Sequence, residues 1–181
     1  MKAVDTTNIQ EAGDFKRPEP GAYICTIAKV EDVADKEYLK ITYDIAEGEF
    51  AGYYSDMRTN HPEWTWAGAY CRSYKQAALG MFKRFCSAVS KSNGNFVFDG
   101  NTVNADEKTL AGKKIGIVFQ EEEYYGNDGE KRTRLVVNKE FPVGDIANQK
   151  VPKKKELPVE NKSNFDPTEF HAPEGAEEIP F

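Results

Sequence analysis

Cysteine and histidine are scarce in this 181-residue chain. The three cysteines, Cys25, Cys71 and Cys86, are an odd number at wide spacing, with no Cys-x-x-Cys, which excludes a disulfide framework and leaves them as small apolar residues. His61 and His171 without close cysteines make no zinc site. No run approaches the ~18–20 apolar residues that span a bilayer. The opening residues Met1–Asp5 lack the apolar core of a secretory signal, so a cytoplasmic location is expected, without membrane attachment. Gly-x-x-x-x-Gly-Lys-Ser/Thr, Gly-x-Gly-x-x-Gly and Gly-x-Ser-x-Gly runs are all missing. His61 has no nucleophile or orienting acid assignable to it. Glu121 and Glu123 would share one face of a strand but have no evident third ligand, and a solvated strand surface is the better reading. Neither an enzyme nor a cofactor is expected, and a metal-dependent nuclease using those two glutamates is the residual enzymatic alternative.

What is present begins with charge. The formal net charge of −6 argues at first against a polyanionic partner. Its distribution weakens that objection. Residues 164–181 hold Asp166, Glu169, Glu174, Glu177 and Glu178 with no Lys or Arg, a charge of −5, which leaves −1 on the 163 residues before them. The acidity belongs to a tail, and acidic blocks of this kind are interaction tails.

Three segments are expected: a polar lead-in over 1–20 closed by Pro18 and Pro20, a folded domain over 21–150, and a linker with a disordered acidic tail over 151–181. Tyr23–Val30 is rich in strand formers. Tyr38–Ile45 alternates cleanly, with Leu39, Ile41, Tyr43 and Ile45 on one face. Phe50–Thr59 reads as a third strand bent at Gly52. Tyr70, Tyr74, Ala77, Ala78, Met81, Phe82, Phe85 and Val89 then fall on one helical stripe, with Gly80 marking a close approach. Phe96–Val103 reads as a small extra hairpin. Ile115–Tyr124 and Lys131–Phe141 are two strands joined by the strong turn Gly126-Asn127-Asp128-Gly129. Lys153-Lys154-Lys155 reads as a solvated linker run, with contact to nucleic acid as the lesser alternative.

The order β-β-β-α-β-β predicts a mainly β protein: an OB-fold-like five-stranded barrel with one helix between strands three and four. Its gripping connections would be Val33–Glu37 and Tyr124–Glu130. An α+β sandwich is the competing architecture.

Aromatic residues make up 12% of the chain, and several lie beside cations where a core does not require them. Tyr53 and Tyr54 precede Arg58, and Trp64 and Trp66 precede Arg72. Tyr124 and Tyr125 face Lys131, Arg132 and Arg134 across a short turn, and Tyr38 shares an outward face with Lys40. Single-stranded nucleic acid calls for this pairing, because every base offers a stacking face and every phosphate attracts a cation. A Tyr pair on a strand turns one ring inward, so half of these rings belong to the core. Trp64 and Trp66 can equally cap the barrel.

The chain ends Glu177-Glu178-Ile179-Pro180-Phe181, two acids followed by apolar residues and a carboxylate, a pattern suited to docking in a basic-rimmed apolar pocket. This tip resembles the C-terminus of bacterial single-stranded-DNA-binding proteins. The body is similar to phage-encoded single-stranded-DNA-binding proteins in Gly21-Ala22-Tyr23, Ile45–Gly52, Tyr74–Ala77, Leu110–Gly116 and Glu122-Glu123-Tyr124 before Gly129. The resemblance implies a protein that coats single-stranded DNA during phage replication or recombination, in the cytoplasm of an infected or lysogenic bacterial host. It also implies that Glu177 through Phe181 recruit replication, recombination or repair proteins. No base-stacking residue is carried over from the bacterial proteins, whose bodies differ. The alternative from another class is a protein-interaction adaptor. A homodimer through open edge strands is one assembly compatible with this reading.

Overall fold

The computed structural model describes residue 7 and residues 16–63, 68–101 and 105–158. Five antiparallel strands form one sheet: β1 (Gly21–Val33), β2 (Tyr38–Ile45), β3 (Ala69–Ser73), β4 (Lys114–Tyr125) and β5 (Lys131–Phe141), in the order β3-β2-β1-β4-β5. Helix α1 (Tyr53–Asn60) lies between β2 and β3, and helix α2 (Leu79–Ser92) between β3 and β4. Mainly β architecture and a helix between strands three and four agree with expectation. Closure does not: β3 and β5 are edges with no ladder between them, so the sheet is open and not a barrel.

Alternation builds the core. Leu39, Ile41, Tyr43 and Ile45 of β2 turn inward and are buried, as are Cys25 and Ile27 of β1 and Ile115, Ile117 and Phe119 of β4. A bulge between Ile27 and Lys29 resets β1, so that Val30 continues the buried row and Lys29 faces out. Helix α2 covers this face with Phe85, Cys86, Ala88 and Val89. Burial pushes the Cys86 thiol up to about 12.

The sheet curls although it does not close. Arg72 of β3 and Glu140 of β5 both point inward, and Arg72 Nε donates to Glu140 Oε1 at 2.8 Å, with a second bond from Nη2 to the same oxygen. The Glu140 side chain is fully buried, and the Arg72 guanidinium lies over the Tyr70 ring at 5.2 Å from its centroid. A charged pair thus bridges the seam where a barrel would have backbone hydrogen bonds.

The segment expected as a third strand is α1. Gly52 adopts φ +77, and Asp44 of β2 accepts from the backbone N–H groups of Tyr54 and Ser55, each at 3.0 Å. That carboxylate satisfies amides a helix start leaves open, and it overrides the strand propensity of the tyrosine pair. The true third strand takes Tyr70 from the predicted helical stripe, and α2 begins only at Leu79. Around Gly80 there is open space and no close approach. Phe96–Asn101 forms no strand; Phe98 enters the core and its backbone bonds Ser90 Oγ.

No helix among the described residues is long and apolar enough to cross a membrane.

Candidate nucleic-acid interface

Helix α1 stands off the sheet, held by Tyr54, whose buried ring packs edge-on against Tyr43 at 5.4 Å. Between α1 and the outer half of the β4–β5 hairpin runs an open groove of about 820 Å³. Arg17–Pro20 form one wall, Tyr53, Met57 and His61 the helical side, and Glu121 with Thr133–Leu135 the hairpin side. The lead-in is fastened here: Lys16 Nζ reaches Glu49 at 2.7 Å, and the Tyr23 hydroxyl donates to the Glu19 carbonyl at 2.9 Å. The groove therefore brings together Arg17, a half-buried tyrosine ring, Met57 and Leu135, with Arg134 at its hairpin edge, where its guanidinium is directed to Glu122 and Tyr124. That is a surface able to hold a flat aromatic base and an adjacent phosphate.

The hairpin orders its charges by depth. The Glu122 and Glu123 side chains are 14% and 8% exposed, whereas the cations on them stand out: Arg134 56%, Lys131 56%, Lys155 65% and Lys154 37%. Arg134 Nη2 lies 2.9 Å from Glu122, and its guanidinium covers the Tyr124 ring at 4.9 Å. Lys131 and Lys154 reach Glu123 at 2.7 and 2.9 Å. Hydrogen bonds from these two ammonium groups hold the Glu123 carboxyl down at about 2.

The residues singled out in the sequence divide accordingly. Tyr53 and Arg134 both line the groove. Tyr125 is 59% exposed on the hairpin, with Tyr124 half-buried beneath Arg134. Arg132 pairs with Asp128 in the turn. Tyr38 and Lys40 lie on the outward face of β2, and Arg58 is exposed on α1; none of these three lines the groove. Two leave the solvent-facing set: Tyr54 is a core ring with its hydroxyl pushed up to about 12 by burial, and Arg72 is buried against Glu140. Trp64, Trp66 and the tip Glu177, Glu178, Ile179, Pro180 and Phe181 lie outside the described residues.

Three contributors stood outside the expected set of site residues. Arg17 sat in a segment read as lead-in. Lys154 and Lys155 sat in one read as solvated linker, yet residues 153–157 lie along β4, with Lys155 bridging Glu122 in parallel. Two runs of equal length and opposite sign, 121–123 and 153–155, were the available signal. Among the described residues no group of three or more His, Cys, Asp or Glu side chains is placed to hold a metal ion. No model of a known protein family matches the chain, and no curated protein matches it.

Proposed function

We propose that this protein binds single-stranded DNA with little sequence preference, stacking bases on exposed rings and pairing phosphates with cations. The observation that carries the reading is the groove between α1 and the hairpin, which gathers Tyr53, Arg134 and Arg17 over an apolar floor. The strand order supports it: β3-β2-β1-β4-β5 is the order of an OB-like fold unrolled at its β3–β5 seam, and such folds grip single strands beside the hairpin of strands four and five. The groove is lined by two cationic residues, Arg17 and Arg134, and each phosphate they neutralise makes affinity fall with added salt. In this reading the protein shields transient single strands during phage replication or recombination, and Glu177 through Phe181 recruit the proteins that act on them.

Titration of a labelled oligo-dT at two salt concentrations tests the reading. Binding at low salt, weakened by added salt and poorly competed by duplex, is expected. Tyr53→Ala should weaken it by ~1–3 kcal/mol, the usual cost of losing a stacking ring. Absence of binding to any oligonucleotide at low salt, by a protein with a native spectrum, refutes it. That outcome would favour the adaptor reading, supported by Leu79 and Met81, which are 40% and 47% exposed on α2.

A further inference from the structure

The strap after β5 is held by more than charge. Glu123 N–H donates to the Lys155 carbonyl at 2.9 Å, and Lys155 N–H to the Glu121 carbonyl at 2.8 Å. Gln120 Nε2 donates to the Lys153 carbonyl at 2.6 Å, and Leu157 N–H to Glu123 Oε2 at 3.2 Å. The strap takes the edge of β4 beyond the point where β1 ends, since β1 pairs with β4 only as far as Phe119. Backbone bonds alone would serve that structural purpose, so three consecutive lysines exceed the need. Lys154 turns to Glu123 and Lys155 to Glu122, while the Lys153 ammonium makes no ion pair among the described residues.

We infer that Lys153, Lys154 and Lys155 form a phosphate-tracking rail that extends the single-strand interface out of the groove. The inference rests on the single-strand reading above and names a part of the surface that the groove does not contain. On and around the strap, Lys131, Arg134, Lys153, Lys154 and Lys155 stand against Glu121, Glu122, Glu123 and Glu156, an excess of one positive charge in a chain whose whole is acidic. Glu122 and Glu123 lie beneath, Lys155 pairing with the first and Lys154 with the second on the other face of β4, so that a phosphate approaching the strap edge meets these ammonium groups and that of Lys153 before either of the two acids. Rail and groove are continuous, because Glu121 lines the groove and also lies 4.0 Å from Lys154. A strand whose bases occupy the groove therefore has cationic footing for the phosphates that leave it.

The test is the salt dependence of oligo-dT binding by the full chain and by the Lys153→Gln/Lys154→Gln/Lys155→Gln variant, which keeps the strap's backbone bonds. Each phosphate neutralised on a single strand contributes about 0.7 to the slope of log K against log salt. The triple variant should lose about 2 from that slope and bind several-fold more weakly at low salt. Lys155→Gln alone, which retains two of the cations, should lose about 0.7. Wild-type binding with an unchanged slope in both variants overturns the rail and leaves the groove reading intact. Failure of the wild type to bind removes both.

Discussion

Glu140 carries more of the architecture than its place at the end of a strand suggests. Its carboxylate is fully buried and takes two bonds from Arg72 on the opposite edge of the sheet. The pair aligns edges that no ladder joins, and the buried hydroxyl of half-buried Tyr70 beside it is pushed well up by burial and by the Glu140 charge. Removing one partner of such a pair leaves a charge in a dry place, at a cost of ~3–5 kcal/mol. Glu140→Ala should lower the free energy of unfolding by that amount, read as a lower urea midpoint at unchanged m, whereas Arg72→Met with Glu140→Leu should restore most of it, because apolar replacement of both charges removes the desolvation penalty. Equal midpoints for Glu140→Ala and wild type would mean that the seam is held by α2 alone.

At the scale of elements, the strap and hairpin act as one unit with a pH signature. Glu123 is held near 2 in the folded protein, against an ordinary value of 4.5. A depressed folded value means that its contribution is complete above about 4.5 and is lost as pH falls toward about 2. Carboxyl NMR should find Glu123 ionised at pH 4, and the Glu123 and Lys155 amides should lose exchange protection only as pH approaches 2; titration near 4.5 would show that the strap does not hold it. Legibility in the sequence followed local pattern. β2 and β5 could be read to the residue, because strict alternation and the Gly126–Gly129 turn are local signals. The sequence reading of α1 failed because its deciding group, Asp44, belongs to the preceding strand and acts across ten residues. Tyr70 fell on a helical stripe by coincidence of spacing, and the short strand it occupies is defined by pairing with β2. Among the site residues, Tyr53 and Arg134 were visible as an aromatic and a cation, but what joins them is the position of α1 against the hairpin. The glutamate and lysine triplets were each visible, while their encounter depended on β1 ending early along β4.

For the whole molecule the question is where an acidic chain would find room for the polyanion proposed as its partner. Charge is separated along the chain, with −5 on residues 164–181 and −1 on the rest, and again by depth on the hairpin, where acids lie under cations. The described strap leaves the sheet at Leu157, beside Glu123 and its lysines, so the acidic segment is tethered next to the cationic surface. A short tether presents its charges at an effective concentration of order mM, enough to compete with phosphates at low salt and too little once salt screens both. Deletion of residues 164–181 should therefore tighten oligo-dT binding at low ionic strength and leave it nearly unchanged at high ionic strength, so that the two isotherm series converge as salt rises. Replacing the five acids of that segment by their amides should reproduce the deletion, since charge and not length is the competitor. Equal low-salt affinities for full-length and shortened chains would show that the tail stays clear of the rail and groove, and would confine its role to the recruitment proposed for Glu177 through Phe181.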